Sequence, residues 1–250
     1  MKKTFTLLYA GIAYVLGLAN IAYIVAFLAD FGTAWGLPKT IASGDLEASL
    51  WQAVLIDALL VAAFGLHHSV TARTAFKAWW TRFVPAHLER ATYLYMTAGM
   101  TMILVGFWQP IPITIWQVET GWAVAAIIAA YLSVWAMMFL ATFHFGHFSF
   151  FGLAQAWRRI RETPPPGASF TARYLYALVR HPISLGWMLT PWLTPHLTVG
   201  HAVFGLSAMA YILVATHFEE ADLIGEFGDR YRRYRREVPA FLPTAGRRRN

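Results

Sequence analysis

The sequence predicts an all-α fold, a polytopic bundle of membrane helices with about six spans that include a short broken helical hairpin, followed by a C-terminal amphipathic cytoplasmic helix. Hydrophobic residues make up 58% of the chain and charged residues only 13%, and the mean hydropathy is +0.47. These values are typical of an integral membrane protein. Because the spans consume most of the 250 residues, we expect one domain covering 1–250.

The charge balance indicates a lipid surface as a partner. The chain has a formal charge of +7 and a pI near 9.8, but its basic residues lie in short loops and a tail beside apolar segments. That distribution favours anionic lipid headgroups over nucleic acid. The chain has no cysteine, which excludes disulfides, thiolate metal ligands and a cysteine nucleophile. The first apolar run continues to about Phe27 without a clear cleavage site, so it is interpreted as a retained span.

Hydropathy predicts where the spans lie. They are expected at Phe5 to Ala29, Leu50 to Leu66, Ala91 to Trp108, Gly121 to Phe143, Ile183 to Thr194 and Val199 to Phe218. The fifth segment contains Pro191 and is shorter than the roughly 20 residues that cross a bilayer. A broken or tilted helix paired with the sixth segment is therefore expected, with its irregular backbone lining an enclosed cavity.

Loop charges predict the orientation, because lysine and arginine accumulate on the cytoplasmic side. Basic residues follow the second, fourth and sixth spans at Arg73, Lys77, Arg82 and Arg90, at Arg158, Arg159, Arg161, Arg173 and Arg180, and at Arg230, Arg232, Arg233, Arg235 and Arg236. The intervening loops hold Lys39 alone among basic residues, with Asp30, Asp45, Glu47 and Glu119. Both termini are therefore expected in the cytoplasm.

Two segments of the C-terminal half are expected at the membrane surface. Ala168 to Val179 mixes aromatic and aliphatic residues with Arg173 after a proline-rich break, which is typical of a chain lying along the interface. Apolar residues then recur every three or four positions from Leu223 to Val238, with arginines between them. This spacing predicts the amphipathic cytoplasmic helix.

An Arg-His-Pro turn before the fifth segment is one candidate site. Pro182 disfavours helix at His181 and can open the next helix. The guanidinium of Arg180 suits a carboxylate or a phosphate, and Gly186 would let a ligand approach the backbone closely. A snorkelling arginine and a loop-capping histidine are the simpler alternative.

Glu219 and Glu220 place two carboxylates at the end of the sixth span, where charge is costly and usually marks a site. Adjacent helical residues point about 100° apart, so one can face the bundle interior while the other faces the loop or the basic tail. A buried carboxylate could receive an ammonium group or the hydroxyls of a ribose. The alternative is a pair neutralised by Arg230 or Arg233.

The histidines suggest ligation or proton transfer. His144 and His147 share a face if the helix persists, and with His68 they could ligate metal or haem. However, Gly146 argues against a continuous helix and no carboxylate lies at ligand spacing, so no metal site is predicted. Hydrogen-bonded interfacial histidine is the commoner outcome. A role beside a reacting group, as a base or an orienting donor, stays open.

The C-terminal motifs RHPxxxG at 180–186, EExxL at 219–223 and FGxxYxxYxxxVP at 227–239 resemble those of the integral-membrane methyltransferases typified by isoprenylcysteine carboxyl methyltransferase and the phospholipid N-methyltransferases. Ser184 departs from the aromatic residue often present there in that group, which leaves any aromatic cofactor contact at this position replaced or absent. The segments LPKTIASG, HHSVTARTAFKAWWTRFVP, ERATY and GHFSFFGLAQAW extend the resemblance over nearly the whole chain, to the bacterial methanethiol S-methyltransferase family.

This resemblance implies transfer of a methyl group from S-adenosylmethionine to methanethiol, giving dimethyl sulfide, at the cytoplasmic face of a bacterial inner membrane. It implies a cofactor-binding half at about 168–243, with contacts from Arg180, His181, Pro182, Gly186, Glu219, Glu220 and Tyr234. A thiolate is the better nucleophile, and His147 and His68 are the candidates for accepting the thiol proton. Arg73, Arg90 and Tyr93 are the candidates for substrate binding or support.

Several alternatives remain open. Another small thiol, a selenol or a lipid-linked acceptor could replace methanethiol, and a groove open to lipid would favour the lipid-linked one. A membrane NADPH-dependent reductase would also carry an Arg-His-Pro turn. A haem-binding or quinone-binding membrane protein would instead use the histidines.

Overall fold

The computed structural model describes residues 2–31, 36–167 and 170–243. Its helices are α1 (Lys2–Leu28), α2 (Leu50–Ala72), α3 (Thr74–Trp80), α4 (Glu89–Phe107), α5 (Gly121–Ala141), α6 (His147–Phe150), α7 (Leu153–Arg161), α8 (Leu175–Leu178), α9 (Pro182–Leu189), α10 (Val199–Phe227) and α11 (Asp229–Glu237). Short 3₁₀ turns follow α5 and α9, at Thr142–Phe145 and Thr190–Trp192. Two strands, β1 (Thr114–Gln117) and β2 (His196–Thr198), pair antiparallel. The predicted all-α membrane bundle is confirmed.

Four helical segments of the described residues are long and apolar enough to cross a membrane: Lys3–Leu28, Leu50–Ala72, Gly121–Phe145 and Val199–Phe227. Two further segments, α4 and the broken stretch formed by α9 and its 3₁₀ turn, lie beside them. The count of six spans stays a prediction.

One end of the bundle gathers the basic residues. Lys3 at the start of α1 donates to the Ile160 carbonyl at 3.3 Å, and Arg73 after α2 pairs with Asp222 near the end of α10 at 2.7 Å. Arg90 at the start of α4 donates to the Phe150 carbonyl at 2.7 Å. We call this the basic end.

The opposite end carries the β1–β2 ladder. There the indole of Trp108, after α4, donates to the Ile41 carbonyl at 3.1 Å, and His201 near the start of α10 contacts the Leu28 carbonyl at 3.1 Å. Trp108 and His201 are fully buried. The long helices therefore run between two chemically different ends.

The fifth segment is broken, as the sequence predicts. α9 ends at Leu189, and the 3₁₀ turn that contains Pro191 follows directly. This turn packs closely on α10, because a Cβ on Gly205 would lie 2.7 Å from the Trp192 ring. The irregular backbone is therefore enclosed by protein, which is the condition for its presence inside a membrane.

Several predicted boundaries shift in the structure. α2 and α10 continue past Leu66 and Phe218 to Ala72 and Phe227, because helical hydrogen bonding continues after the apolar stretch ends. The expected amphipathic helix is consequently divided. Residues up to Phe227 complete α10, Gly228 adopts a positive φ of 56°, and α11 begins after it. The Ala168 to Val179 segment begins at residues outside those described and ends in the single turn α8.

Candidate active site

A buried ion cluster lies at the basic end, centred on Glu220. The Glu220 side chain is 8% exposed, and its Oε1 accepts from Arg180 Nε at 2.7 Å and lies 3.1 Å from His181 Nε2. Its Oε2 pairs with Arg235 Nε at 3.1 Å. Both oxygens of this carboxylate are therefore engaged, which is what makes a charge at this depth tolerable.

Backbone hydrogen bonds attach the chain after α11 to the Arg-His-Pro turn. The amide of Arg180 donates to the Pro239 carbonyl at 2.8 Å, and the amide of His181 donates to the Ala240 carbonyl at 3.1 Å. Pro182 then occupies the first turn of α9, where its missing N–H has no cost. The three C-terminal motifs thus converge on one place.

Arg180 joins the motifs through its side chain as well. Its guanidinium donates to the carbonyls of Arg235, at 3.0 Å, and Val238 in addition to Glu220. Three acceptors in different directions use most of the donors of a guanidinium. Arg180 therefore holds α11 against α10 in this structure, and the neutralising partners of Glu220 are Arg180 and Arg235, not Arg230 or Arg233.

Glu219 has a different environment from its neighbour. Its side chain is 57% exposed, and its Oε2 lies 3.7 Å from Nδ1 of the buried His181. The two carboxylates therefore divide into one facing inward and one facing outward, as the angle between adjacent helical positions predicts. Glu219 is the carboxylate with capacity for a further hydrogen-bond donor.

Aromatic side chains form a layer beside the ion cluster. Tyr231 and Tyr234 of α11 are buried, and the ring of Phe170 lies 5.7 Å and 5.1 Å from theirs. Burial raises the pKa of Tyr234 to about 12, so its phenol stays a neutral donor. That hydroxyl donates to the Tyr176 carbonyl at 2.5 Å. Tyr234 therefore fastens the α8 turn to α11.

Three of the residues predicted for the acceptor side, His68, Arg90 and Tyr93, lie on α2 and α4. The Tyr93 hydroxyl lies 2.8 Å from Nδ1 and 2.9 Å from Nε2 of His68, and the Phe64 ring stacks on His68 with centroids 5.8 Å apart. The Arg90 guanidinium lies over the Tyr93 ring at 4.7 Å. Together with its bond to the Phe150 carbonyl, this gives Arg90 a supporting position.

Arg73 connects the acceptor side with the cofactor side. Its ion pair with Asp222 joins the end of α2 to α10 one turn beyond Glu219. Its guanidinium also lies 5.6 Å from the Phe218 ring centroid. The structure thus places Arg73 between the two candidate groups.

His147 lies apart from both groups. Its Nδ1 is 2.7 Å from the Thr142 hydroxyl and its Nε2 is 3.0 Å from the Tyr14 hydroxyl. The Phe143 ring stacks on it with centroids 4.7 Å apart. Burial lowers the pKa of His147, so the imidazole is neutral near pH 7. With both nitrogens engaged in an aromatic cluster, His147 has the contacts of a structural residue.

The two histidines of the FHFGHF stretch diverge. Gly146 takes a φ of 78° and ends the helical path, so His144 turns instead to the Thr171 carbonyl at 2.9 Å and stacks on Tyr176. Within residues 2–31, 36–167 and 170–243, no group of three histidine, cysteine, aspartate or glutamate side chains could hold a metal ion.

Gly186 packs against another helix. A Cβ at this position would overlap the side chain of Met138 on α5. In this structure Gly186 therefore allows helix α9 to pack closely on helix α5. The predicted contact of Gly186 with a ligand stays a prediction.

Sequence reasoning missed three residues near the candidate site. Arg235 was one of several tail arginines, and only the fold of α11 singles it out as a partner of Glu220. Tyr211 and Ser69, whose hydroxyls are 2.7 Å apart, lie inside apolar runs where hydropathy gives them no distinction. Their separation of 142 positions leaves no local pattern that could have paired them.

The fold and the site define an integral membrane protein with a buried Arg-Glu-His cluster at one end of its helices. The chain is 39% identical to methanethiol S-methyltransferase of Mycobacterium tuberculosis over 97% of this chain and 98% of that protein. It is 42% identical to methanethiol S-methyltransferase of Pseudomonas deceptionensis over 85% of this chain and 80% of that protein. The chain therefore belongs to the methanethiol S-methyltransferase family, and it is a methyltransferase.

A more distant likeness extends beyond this family. Nurim of Sus scrofa is 24% identical over 72% of this chain and 73% of its own length. That similarity fits the wider superfamily of membrane methyltransferases that the C-terminal motifs resemble. No protein-family model matches the chain, and no solved structure matches it.

Proposed function

We propose that this protein transfers the methyl group of S-adenosylmethionine to methanethiol, forming dimethyl sulfide and S-adenosylhomocysteine, at the cytoplasmic face of the membrane. The observation that carries the proposal is the convergence of three separate motifs on the buried Glu220 cluster, in a chain about 40% identical to enzymes named for this substrate. We propose that residues 168–243 form the half of the chain that binds the cofactor.

The residues beside the ion cluster fit the cofactor. Glu219 offers an exposed carboxylate to an ammonium group or to ribose hydroxyls. Glu220 cannot serve in the same way without losing its partners, so it acts as the anchor that positions Arg180 and His181. When bound, S-adenosylmethionine supplies a methyl group on a sulfonium, and Glu219 lies where a positive ligand is stabilised.

The acceptor side is assigned to His68 and Tyr93. The Tyr93 hydroxyl can accept from the protonated ring nitrogen of His68, and in that tautomer the other, unprotonated nitrogen is able to take the thiol proton. Tyr93 orients the ring. The His147 nitrogens are both occupied, which favours His68 over His147 as the proton acceptor. Methanethiol offers little surface for recognition, so its affinity is expected to be weak.

The basic end supports the proposed orientation. Arginines of α7 and α11 lie at this end, as do Arg73 and Arg90, whereas Lys39 lies at the opposite end. The same arginines are suited to anionic headgroups. Orientation with this end in the cytoplasm places the site where a soluble cofactor is available.

The proposal is tested by headspace gas chromatography on purified protein given S-adenosylmethionine and methanethiol. We expect dimethyl sulfide from the wild type and a raised KM for S-adenosylmethionine in Glu219→Gln. Glu162→Gln is the matched control, because this exposed carboxylate follows α7 at the basic end and pairs with Lys3 at 3.3 Å, not with a residue of the Glu220 cluster. Absence of dimethyl sulfide from folded, cofactor-binding wild type would overturn the assignment of methanethiol.

A further inference from the structure

We infer that Tyr211 is a catalytic residue whose hydroxyl contacts the sulfur of the thiol acceptor. This inference rests on the proposed function and adds to it a group on α10 that joins the acceptor side to the cofactor side. Three observations carry it: a fixed ring, a paired hydroxyl, and a position between His68 and Glu219.

The ring of Tyr211 is held against the backbone of α2. Gly65 is buried there, and a Cβ at that position would lie 2.5 to 2.7 Å from Tyr211 ring atoms. Only a residue without a side chain permits this approach. The ring is therefore confined, and its hydroxyl has a defined position at the basic end of α2.

The hydroxyl of Tyr211 is 2.7 Å from the hydroxyl of Ser69. Ser69 directly follows His68, the candidate proton acceptor. With Ser69 as the donor in this pair, the phenolic proton of Tyr211 is free to point at another acceptor. A half-buried pair of hydroxyls beside a candidate base is thus arranged to offer one proton to a ligand.

The position of Tyr211 links the two groups described above. On α10, Tyr211 precedes Glu219 by about two helical turns, and its hydroxyl partner Ser69 lies about one turn before Arg73 at the end of α2. Arg73 in turn is bonded to Asp222 on the same helix as Tyr211. A small thiol between His68 and a cofactor held by Glu219 would therefore meet the Tyr211 hydroxyl.

The reaction balances with these groups. The thiol gives its proton to the free nitrogen of His68, and Tyr211 donates a hydrogen bond to the resulting thiolate. The thiolate sulfur forms a bond to the methyl carbon while the bond from that carbon to the donor sulfur breaks, and its electron pair stays on the donor sulfur. A thiolate and a sulfonium become two neutral thioethers, and His68 releases its proton to water.

The test compares Tyr211→Phe with Tyr131→Phe. Tyr131 is a buried tyrosine on α5 whose hydroxyl donates to the Val25 carbonyl at 2.6 Å, so this control also loses one buried hydroxyl. We expect Tyr211→Phe to lower kcat at saturating methanethiol by about 10- to 100-fold at neutral pH, the value of a hydrogen bond to a charged group. The KM for S-adenosylmethionine should stay within about twofold, and Tyr131→Phe should keep its kcat.

The pH dependence separates a catalytic role from a structural one. Without the donor, the bound thiol ionises at higher pH, so kcat of Tyr211→Phe should recover as pH rises. The charged and titratable groups that face this position are His68, Tyr93, Arg73 and Glu219, and all are unchanged in the variant. A structural defect would instead lower kcat at every pH and weaken cofactor binding.

Three results would overturn the inference. A wild-type kcat for Tyr211→Phe removes Tyr211 from the reaction while the proposed function stands, and so does a uniform loss at every pH with weakened cofactor binding. Failure of the wild type to form dimethyl sulfide overturns the proposed function itself, and the role of Tyr211 with it.

Discussion

At the scale of single residues, the neighbouring Glu219 and Glu220 have different roles because their side chains point in different directions. Glu220 is enclosed by Arg180, His181 and Arg235, whereas Glu219 is mostly exposed beside His181. Breaking a buried ion pair leaves an uncompensated charge and is strongly destabilising. Removing an exposed charge changes stability little.

The first prediction separates these two tasks. Glu220→Gln should lower the free energy of unfolding by about 3 kcal/mol, because Arg180 stays buried without its partner. Glu219→Gln should leave stability within about 0.5 kcal/mol and weaken binding of S-adenosylmethionine. Unfolding in detergent and calorimetric titration with the cofactor measure the two effects. Equal loss of stability in both variants would contradict the division.

His147 gives a second prediction, on pH. Burial lowers its folded-state pKa below the ordinary 6.5 of the unfolded chain. Below about pH 6.5 the unfolded state therefore binds more protons than the folded state, and stability falls as pH falls. The melting temperature of the wild type should drop more between pH 7.5 and about 5 than that of His147→Asn, which lacks this group. Identical pH profiles would show that His147 is not buried as a neutral base.

At the scale of elements, the position of the Arg-His-Pro turn depends on how closely α9 packs on α5. The Met138 side chain occupies the space where Gly186 would carry a Cβ. Since α9 begins directly after His181, displacement of this helix would also move the turn that contacts Glu220.

The third prediction uses this contact. Gly186→Ala should destabilise the protein by about 1 to 3 kcal/mol, the usual effect of overpacking, and should raise the KM for S-adenosylmethionine. Met138→Ala in the same chain should recover part of both losses, because it frees the space. Gly99→Ala on α4 is the control, since a Cβ there would meet no atom within 4 Å. If the double variant recovers neither stability nor KM, the losses in Gly186→Ala do not arise from its contact with Met138.

The sequence predicted the elements better than it predicted their contacts. Hydropathy located the long helices, since membrane burial selects apolar residues along their whole length. The predicted sixth span ended at Phe218, because the last turns of α10 carry charged residues. Hydropathy also did not show that the helical path breaks at Gly228. The Arg-His-Pro turn and the cost of carboxylates at the end of a span singled out Arg180 and Glu220 as candidates, and the family resemblance pointed to the same residues. The Tyr211 and Ser69 pair required the tertiary packing of α2 on α10.

At the scale of the whole molecule, the two ends of the bundle differ in charge. Arginines concentrate at the end that holds the Glu220 cluster, while the end with the β1–β2 ladder carries Lys39 and acidic residues such as Glu119. A charge distribution of this kind predicts that the basic end lies in the cytoplasm. Site and orientation are thus linked, because the same end carries both.

The fourth prediction tests that orientation directly. The chain has no cysteine, so a single introduced thiol reports its own location. Both Arg159 on α7 and Glu119 before α5 are exposed, and they lie at opposite ends of the bundle. In spheroplasts, a membrane-impermeant maleimide should label Glu119→Cys at once and Arg159→Cys only after lysis. The reverse pattern would place the Glu220 cluster outside the cell, away from the cytoplasmic supply of S-adenosylmethionine, and the proposed reaction could not proceed there.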